Sequence, residues 1–331
     1  MGSGERSQKG VTMADIAQEL GVSNVTVSNA LAGRNGVGKE LREKIFIKAR
    51  EMGYKTAEEK FVPQKSSGVD IAVITPERCI KSDGGFYWEA YQCLASELKK
   101  YDCYAILDIV SKADEAARRT PRIIEEGKVS GVIMLGMPSI NYLTGICARS
   151  IPVVFLGFYV RDFDFDCVVA DDFNDMYRLT SYMISMGHRR IAYCENAEPT
   201  EEHFDRFFGY CKALYEHDID YDASIVYRKG AMPDSSELTK AFICDSVESL
   251  KALTMKLTKY SVSVPDGASL AYYRTGDDDL GMDYTCIKRD PRKLAAITVE
   301  TLRAKLDGSK GSGRLAVGGR IHPGESAKSS I

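Results

Sequence analysis

The chain has 331 residues, 44% of them apolar and 27% charged. That balance excludes a largely disordered polymer, and at roughly 150 residues per domain the length suits about two domains. A formal charge of −3 and a pI near 5.9 argue against a molecule coated in basic charge for nucleic acid.

Residues 1–10 (MGSGERSQKG) have no apolar core, so they read as a flexible leader rather than a secretory signal. The longest apolar stretch, Ile151–Val160, covers ten residues, against the ~20 needed to span a bilayer. Nine cysteines show no C-x-x-C pair and no metal-like spacing. A reduced, cytoplasmic protein is expected, with no metal and no cofactor.

Residues 11–60 carry three helical patterns. Thr12 and Asp15 form a capping box before an apolar stripe of Ile16, Ala17 and Leu20, and Gly21 closes that helix. Ser23 caps a second helix with Val27, Ala30 and Leu31 facing inward. A third runs from about Lys39 to Met52, with Leu41, Ile45 and Ala49 at helical spacing and Gly53 after it. Two short helices joined through Leu20-Gly21-Val22-Ser23 have the form of a helix-turn-helix. Asn24, Val25, Thr26, Ser28 and Asn29 then fall on the second helix's outer side. Asn can read an adenine edge and Val a thymine methyl. A plain three-helix bundle with a solvated polar face is the alternative.

The string Val11-Thr12-Met13-Ala14-Asp15-Ile16-Ala17, then Gly21-Val22-Ser23, Thr26-Val27-Ser28-Asn29-Ala30-Leu31 and Glu51-Met52-Gly53-Tyr54, resembles the headpiece of the LacI/GalR (lactose-repressor) family of bacterial transcription regulators. The resemblance implies DNA contacts from Thr12, Met13, Ser23, Asn24, Val25, Thr26, Ser28, Asn29 and Tyr54. Asn29 stands where family members often carry Arg, which implies a different preferred base. The hinge departs from the family pattern. Lys60 stands at the Ala position and Pro63 at the position of the Leu that wedges into the minor groove. Pro inside a helix costs ~3 kcal/mol, so Phe61 or Val62 would have to replace that wedge.

Residues 61–68 form the hinge and linker. From residue 69 onward, apolar runs alternate with helical stretches: Val69–Thr75, Tyr104–Val110, Val129–Leu135, Val153–Phe158, Arg190–Cys194, Ser224–Tyr227, Lys240–Cys244 and Ser269–Tyr273 as strands, with Phe86–Lys100, Ala113–Glu126 and Ser139–Arg149 as helices among them. Alternation of this kind implies doubly wound parallel sheets. No Gly-x-Gly-x-x-Gly follows the first strand and no phosphate loop is present. The resemblance continues through Val129–Ile133, Ile151–Val154, Ala170-Asp171-Asp172 and Gly187-His188-Arg189, and loosely to Gly324-Glu325-Ser326. It implies an α/β effector domain of the type I periplasmic-binding-protein fold over 69–331. One subdomain is expected at about 69–160 with 291–312, the other at about 161–290 with 313–331.

Ligands of open α/β sheets sit at strand carboxyl ends. Thr75, Phe86 and Tyr87 follow the first strand, Asn174 or Asp171 lies near a crossover, and Asp245 follows Phe242-Ile243-Cys244. By the resemblance, Arg206 matches the family's cleft Arg, Arg274 replaces a sugar-holding Asp, and Arg289 stands where Gln often lines the third crossover. Three guanidiniums on one cleft would suit an anionic effector such as a sugar acid or phosphosugar. Alternatively, Arg274 and Arg289 pair with Asp277, Asp278 or Asp279. His188 is expected to pack, and Trp88 to sit in the core.

The reading is an effector-controlled, DNA-binding regulator, a repressor more readily than an activator. It would act as a homodimer on palindromic operators and hold a sugar or sugar-like metabolite. A regulator with a decayed pocket, a sugar carrier and an α/β enzyme fused to a DNA-binding module are the other readings. No Gly-x-Ser-x-Gly supports the enzyme. Residues 1–60 hold ten Lys/Arg and eight Asp/Glu, a local +2 that leaves −5 on the remainder. The acidic character therefore belongs to the sensor body, and DNA affinity must come largely from base contacts and dimerisation.

Overall fold

The computed structural model describes residues 12–31, 38, 41, 44–45, 48, 52, 69–82, 85–161, 165–198, 200–234, 238–276, 279–309 and 311–330. The chain divides into two compact units, Met1–Ser67 and Gly68–Ile331.

In the first unit, helix α1 (Met13–Leu20) begins at the expected capping box: the Thr12 amide donates to Asp15 Oδ2 at 2.7 Å, and the Asp15 amide to Thr12 Oγ1 at 3.4 Å. It ends at Gly21, whose φ of 64° is a left-handed conformation that side-chain-bearing residues rarely adopt. Helix α2 (Asn24–Leu31) starts at Ser23, whose Oγ accepts from the Thr26 amide at 3.0 Å. Ile16, Ala17, Val27, Ala30 and Ile45 close a small core, with Leu20, Val22, Leu41 and Met52 packed against it. Leu41, Lys44, Ile45 and Lys48 are helical, within the span expected for the third helix. Tyr54 and the hinge residues Lys60, Phe61, Val62 and Pro63 lie outside the described residues.

The second unit contains two six-stranded sheets. The first is built from β1 (Val69–Pro76), β2 (Cys103–Val110), β3 (Gly131–Leu135), β4 (Val153–Leu156), β5 (Cys167–Ala170) and β11 (Arg314–Val317), in the order β11-β5-β4-β3-β1-β2, all parallel. The second runs β12-β10-β9-β8-β6-β7, from β6 (Ile191–Cys194), β7 (Val226–Tyr227), β8 (Ala241–Cys244), β9 (Ser269–Arg274), β10 (Thr285–Lys288) and β12 (Arg320–His322); only β12 is antiparallel. Helices cover both faces of each sheet. On the first sheet, α4 (Phe86–Lys99) and α11 (Pro291–Leu306) share one core, and α7 (Ile140–Cys147) packs on the other side. On the second, α8 (Asp172–Ser185) and α9 (Glu201–Glu216) pack on one side and α10 (Val247–Lys259) on the other. Such burial on both faces explains why these strands read as continuous apolar runs. Among the described residues no helix is long and apolar enough to cross a membrane.

Pairing corrects the expected subdomain boundaries. β5 and β11 belong to the first sheet, so the chain crosses between sheets at residues 170–172 and 317–320 rather than at 160 and 312, while the remaining crossover, 288–291, contains the expected boundary at 290. Strands β5, β10, β11 and β12, of three or four residues each, are not among the expected ones, whereas β4, β6 and β8, of four residues each, are. The expected helix Ala113–Glu126 is two helices, α5 (Lys112–Ala117) and α6 (Arg122–Glu125). Arg118 adopts a left-handed φ of 52° after the first, and Pro121 precedes the second. Ser224–Tyr227 is a 3-10 turn (Ala223–Ile225) with a two-residue strand, because Asp222 captures the Ser224 amide at 3.0 Å. Trp88 is 45% exposed rather than in the core. His188 does pack: it is buried and its Nε2 lies 3.0 Å from the Lys328 carbonyl.

The three crossovers meet at the start of α8. Asp171 caps this helix, and Asp172 and Asp175 occupy its first turn, where carboxylates suit the positive end of the helix. The Gly319 amide of the third crossover donates to both Asp175 oxygens at 2.9 Å, and Arg178 Nη1 donates to the Gly319 carbonyl at 2.9 Å. A Cβ at position 319 would stand 2.6 Å from the Lys288 carbonyl of the second crossover, so only glycine fits. Burial pushes the Asp175 carboxyl up to about 6, against the Gly319 amide, which lowers it. Folding therefore takes up a proton between about pH 4 and 6, and stability falls as pH rises through that window, by up to about 3 kcal/mol. Asp175→Asn is expected to stabilise the chain against urea by about 1–3 kcal/mol at pH 7 and by much less near pH 4. Equal differences at both values would refute this account.

Candidate functional site

Between the two sheets lies a cavity of about 560 Å³, within the range of small-molecule sites. Its walls come from the carboxyl ends of the strands. Arg78 and Cys79 follow β1, Met137 follows β3, and Gly157, Phe158 and Tyr159 follow β4; Tyr87 on α4 completes this side. From the second sheet come Asn196 and Glu198 after β6, Ser246 and Glu248 after β8, Thr275 after β9 and Arg289 after β10. The first turns of α9 supply Thr200, Glu201, Glu202, His203 and Arg206. One wall is therefore aromatic and apolar, the other rich in hydrogen-bonding groups.

Arg206 is 1% exposed, and each of its three guanidinium nitrogens donates a hydrogen bond within the protein. Nε donates to Asp172 Oδ1 at 2.7 Å, Nη1 to the Asp245 carbonyl at 2.7 Å and Nη2 to Glu202 Oε2 at 3.3 Å; its guanidinium stacks 4.0 Å over the Tyr273 ring. Arg289 is 5% exposed. Its Nη2 donates to Glu202 Oε2 at 2.5 Å and Asp172 Oδ1 at 3.2 Å, and its Nε to the Tyr273 hydroxyl at 3.3 Å. Burial alone would push the Asp172 carboxyl up, but the Arg289 and Arg206 guanidiniums hold it below the usual carboxylate range. Two cations and two anions thus neutralise each other in the cavity wall. Arg78 is likewise matched, by Glu115 at 2.5 Å, and Glu201 by Arg161 at 2.8 Å.

These geometries correct the expectation of three converging guanidiniums. Arg274 does not line the cavity; its Nε donates to the Gly276 carbonyl at 2.9 Å, and Thr275 takes the place in the wall. Arg289 does line it, from the second crossover rather than the third. Its carboxylate partners are Asp172 and Glu202, while Asp277 and Asp278 lie outside the described residues. Among the described residues, both buried arginines of the wall are charge-matched inside the protein, which does not favour an anionic effector.

Of the other expected residues, Tyr87 lines the cavity. Phe86 sits behind it, buried, with its ring 5.2 Å beneath the Arg289 guanidinium. Thr75 is fully buried in the first sheet and is not in the wall. Asn174 is exposed on α8, its amide held by Asp171 Oδ1 at 3.3 Å. Asp245 stands one layer behind: it accepts from the Asn196 amide at 3.1 Å and Ser249 Oγ at 3.1 Å, and burial pushes its carboxyl up to about 6.

Sequence reading missed Asn196, His203, Ser246, Glu248 and Thr275. A signal for four of them was available: Asn196, Ser246, Glu248 and Thr275 fall within the first four positions after an apolar strand. His203 is built in through a capping box, its Nδ1 accepting from the Thr200 amide at 3.0 Å. That bond leaves the ring proton on Nε2. Burial and the neighbouring Arg206 guanidinium bring its pKa down to about 3, so it is a neutral donor at any physiological pH.

In the first unit, Thr12, Met13, Ser23, Asn24 and Val25 are exposed, and Thr26, Ser28 and Asn29 are half-buried. Val25 is 67% exposed on the outer side of α2. The Ser23 and Thr26 hydroxyls already bond each other at 2.8 Å.

Residues 12–57 match the family model described as bacterial regulatory proteins, lacI family. Residues 70–243 match that of periplasmic binding proteins and sugar binding domain of LacI family, and residues 180–327 a periplasmic binding protein-like domain. The HTH-type transcriptional regulator AglR of Rhizobium meliloti (strain 1021) is 30% identical over 68% of this chain and 63% of its own length. RafR of Escherichia coli is 25% identical over 63% of this chain and 62% of its own. The match therefore spans a little under two thirds of these two curated relatives. Among solved structures, a transcriptional regulator CelR–cellobiose complex aligns over 96% of this chain and 99% of that chain, with TM-score 0.63 and 19% identity. A Lac repressor dimer bound to operator and the anti-inducer ONPF aligns over 97% and 100%, with TM-score 0.64 and 17% identity. Those two likenesses carry the fold, a helix-turn-helix unit and a unit of two mostly parallel-sheet subdomains around a cleft. With sequence models covering both units, the chain belongs to the LacI family of bacterial regulatory proteins.

Proposed function

We propose that this chain is a transcriptional repressor whose helix-turn-helix unit reads a palindromic operator and whose cleft takes an uncharged, hydroxyl-rich effector, a sugar of one or two rings. The observation that carries the effector class is the self-neutralised wall. Arg206 and Arg289 are already matched by Asp172 and Glu202, and they face an aromatic side made of Tyr87, Phe158 and Tyr159. A sugar presents hydroxyls to such a polar wall and its C–H face to the aromatic one. Effector binding would shift the closure of the two subdomains and through it the operator affinity.

Self-association supports the operator reading. β2 is an edge strand that exposes Tyr104, Ile106 and Ile109, with Trp88 exposed on α4 of the same subdomain. An apolar edge of this kind fits a second copy. A dimer doubles a headpiece surface that carries only +2, which gives the symmetric, two-half-site contact that tight operator binding requires.

Calorimetry with cellobiose, maltose, gluconate and glucose 6-phosphate tests the effector class. A neutral disaccharide is expected to bind, with Arg206→Lys losing at least about tenfold because a point charge replaces the fork. Tight binding of only the two anions would overturn it. For the operator, Asn29→Ala is expected to cost about 1–3 kcal/mol on a site selected from random DNA and to relax one base pair in each half. A loss that is uniform over all sequences would make Asn29 a phosphate contact. Ile106→Asp is expected to halve the mass of the β2-paired assembly and to weaken operator binding severely; an unchanged mass argues against that interface.

A further inference from the structure

Seven aromatic side chains of the described residues are prominently exposed, and five of them gather on one surface. Phe204, Phe208 and Tyr215 lie along α9 (Glu201–Glu216), Phe173 on neighbouring α8, and Tyr221 in the turn that follows α9. Phe208 is 59% exposed and Tyr215 84%. With half-buried Cys211, the α9 residues 204, 208, 211 and 215 recur at steps of four, three and four, which is one stripe of a helix. Phe207, Tyr210, Ala213 and Leu214 supply the buried face, so the stripe is surplus to the core.

The flanking charges are already satisfied within the chain. Glu201 pairs with Arg161 at 2.8 Å, Asp205 with Arg314 at 3.5 Å, and Lys212 with Glu216 at 3.5 Å. Those three pairs are matched before any partner arrives. The stripe's spacing reads the same in both directions about the midpoint between Phe208 and Cys211. An antiparallel pairing of two identical helices requires that symmetry: Phe204 of one copy meets Tyr215 of the other, twice, and the helix dipoles oppose. At about 200 Å² per aromatic side chain, the exposed fractions leave roughly 500 Å² per copy, so a two-fold contact buries on the order of 1,000 Å², the lower bound for a specific interface.

We infer that the outer face of α9 is a second self-association surface, which pairs with α9 of another copy. It is separate from the β2 edge: β2 closes the first sheet, whereas α9 covers the second. Two different two-fold contacts join dimers into a larger assembly, which closes as a tetramer when their axes cross at right angles.

Sedimentation velocity on the full chain without DNA tests this. Wild type is expected to run as a tetramer, Phe208→Glu and Ile106→Asp each as dimers, and the double variant as a monomer. A wild-type dimer that Phe208→Glu turns into monomer also supports the α9 contact, and instead removes the β2 one. A tetramer unmoved by Phe208→Glu, or a wild-type dimer that only Ile106→Asp dissociates, overturns the inference. If Phe208→Glu fails to fold, Phe208→Cys decides. Mild oxidation should link it to Cys211 of the other copy as a covalent pair that Cys211→Ser abolishes; no such pair overturns the proposal.

Discussion

Asp172 holds the effector domain together at the point where its halves meet. Its carboxylate lies between two guanidiniums that are themselves almost wholly buried, Arg206 from α9 and Arg289 from the second crossover. A buried ion of either sign is expensive alone, and removing one partner of such a cluster strands the others. The three residues therefore exist only as a set, with Glu202 closing it from the cavity side. Because Asp172 opens α8 directly after the first crossover, the set ties the hinge to the ligand wall in one step.

That tie extends to the remaining connection. Arg289 Nε donates to the Tyr273 hydroxyl, which stands 3.5 Å from Asp175, and Asp175 accepts the Gly319 amide of the third crossover. A group entering the cavity and competing for Glu202 or Arg289 disturbs bonds that reach all three crossovers. Coupling of this sort needs no long pathway, since the sensing groups and the hinge share atoms. The same cluster is the ground for the proposed effector class: cations paired within the hinge are charge-matched before any ligand enters.

The first unit works by different means. Its core is five buried apolar residues with a few neighbours, and its charge excess is small. A unit of that size neither stabilises itself deeply nor binds phosphate strongly. Under the proposed function, exposed Val25 and half-buried Asn29 are the groups that would read base edges, and a second copy would supply the rest of the affinity. The exposed apolar strand β2 and the aromatic face of α9 are the features of the larger unit that serve association.

Much of this was legible in the residues. The capping box at Thr12 and Asp15, the glycine turn, the cap at Ser23 and the apolar runs of β1 to β4 are local events, decided within a few residues by propensity and hydrogen bonding. Strands β5, β10, β11 and β12 were not picked out, although β4, β6 and β8 are as short and were; their place in the sheets comes from pairing rather than from a pattern of their own. The same reason explains the misplaced crossovers. For the site, the family resemblance pointed to Arg206 and Arg289 and chain position to Tyr87 as wall residues, yet the resemblance also put Arg274 among them, and both left out Asn196, His203 and Ser246. Sequence determined which groups are charged and which helices they begin. Which charge faces which is a matter of distances between residues 34 to 117 positions apart, as in Arg206 with Asp172 and Arg289 with Asp172. Only the tertiary structure could turn three candidate cations into a neutral wall, because Coulomb pairing depends on separation in space and the chain order does not encode it.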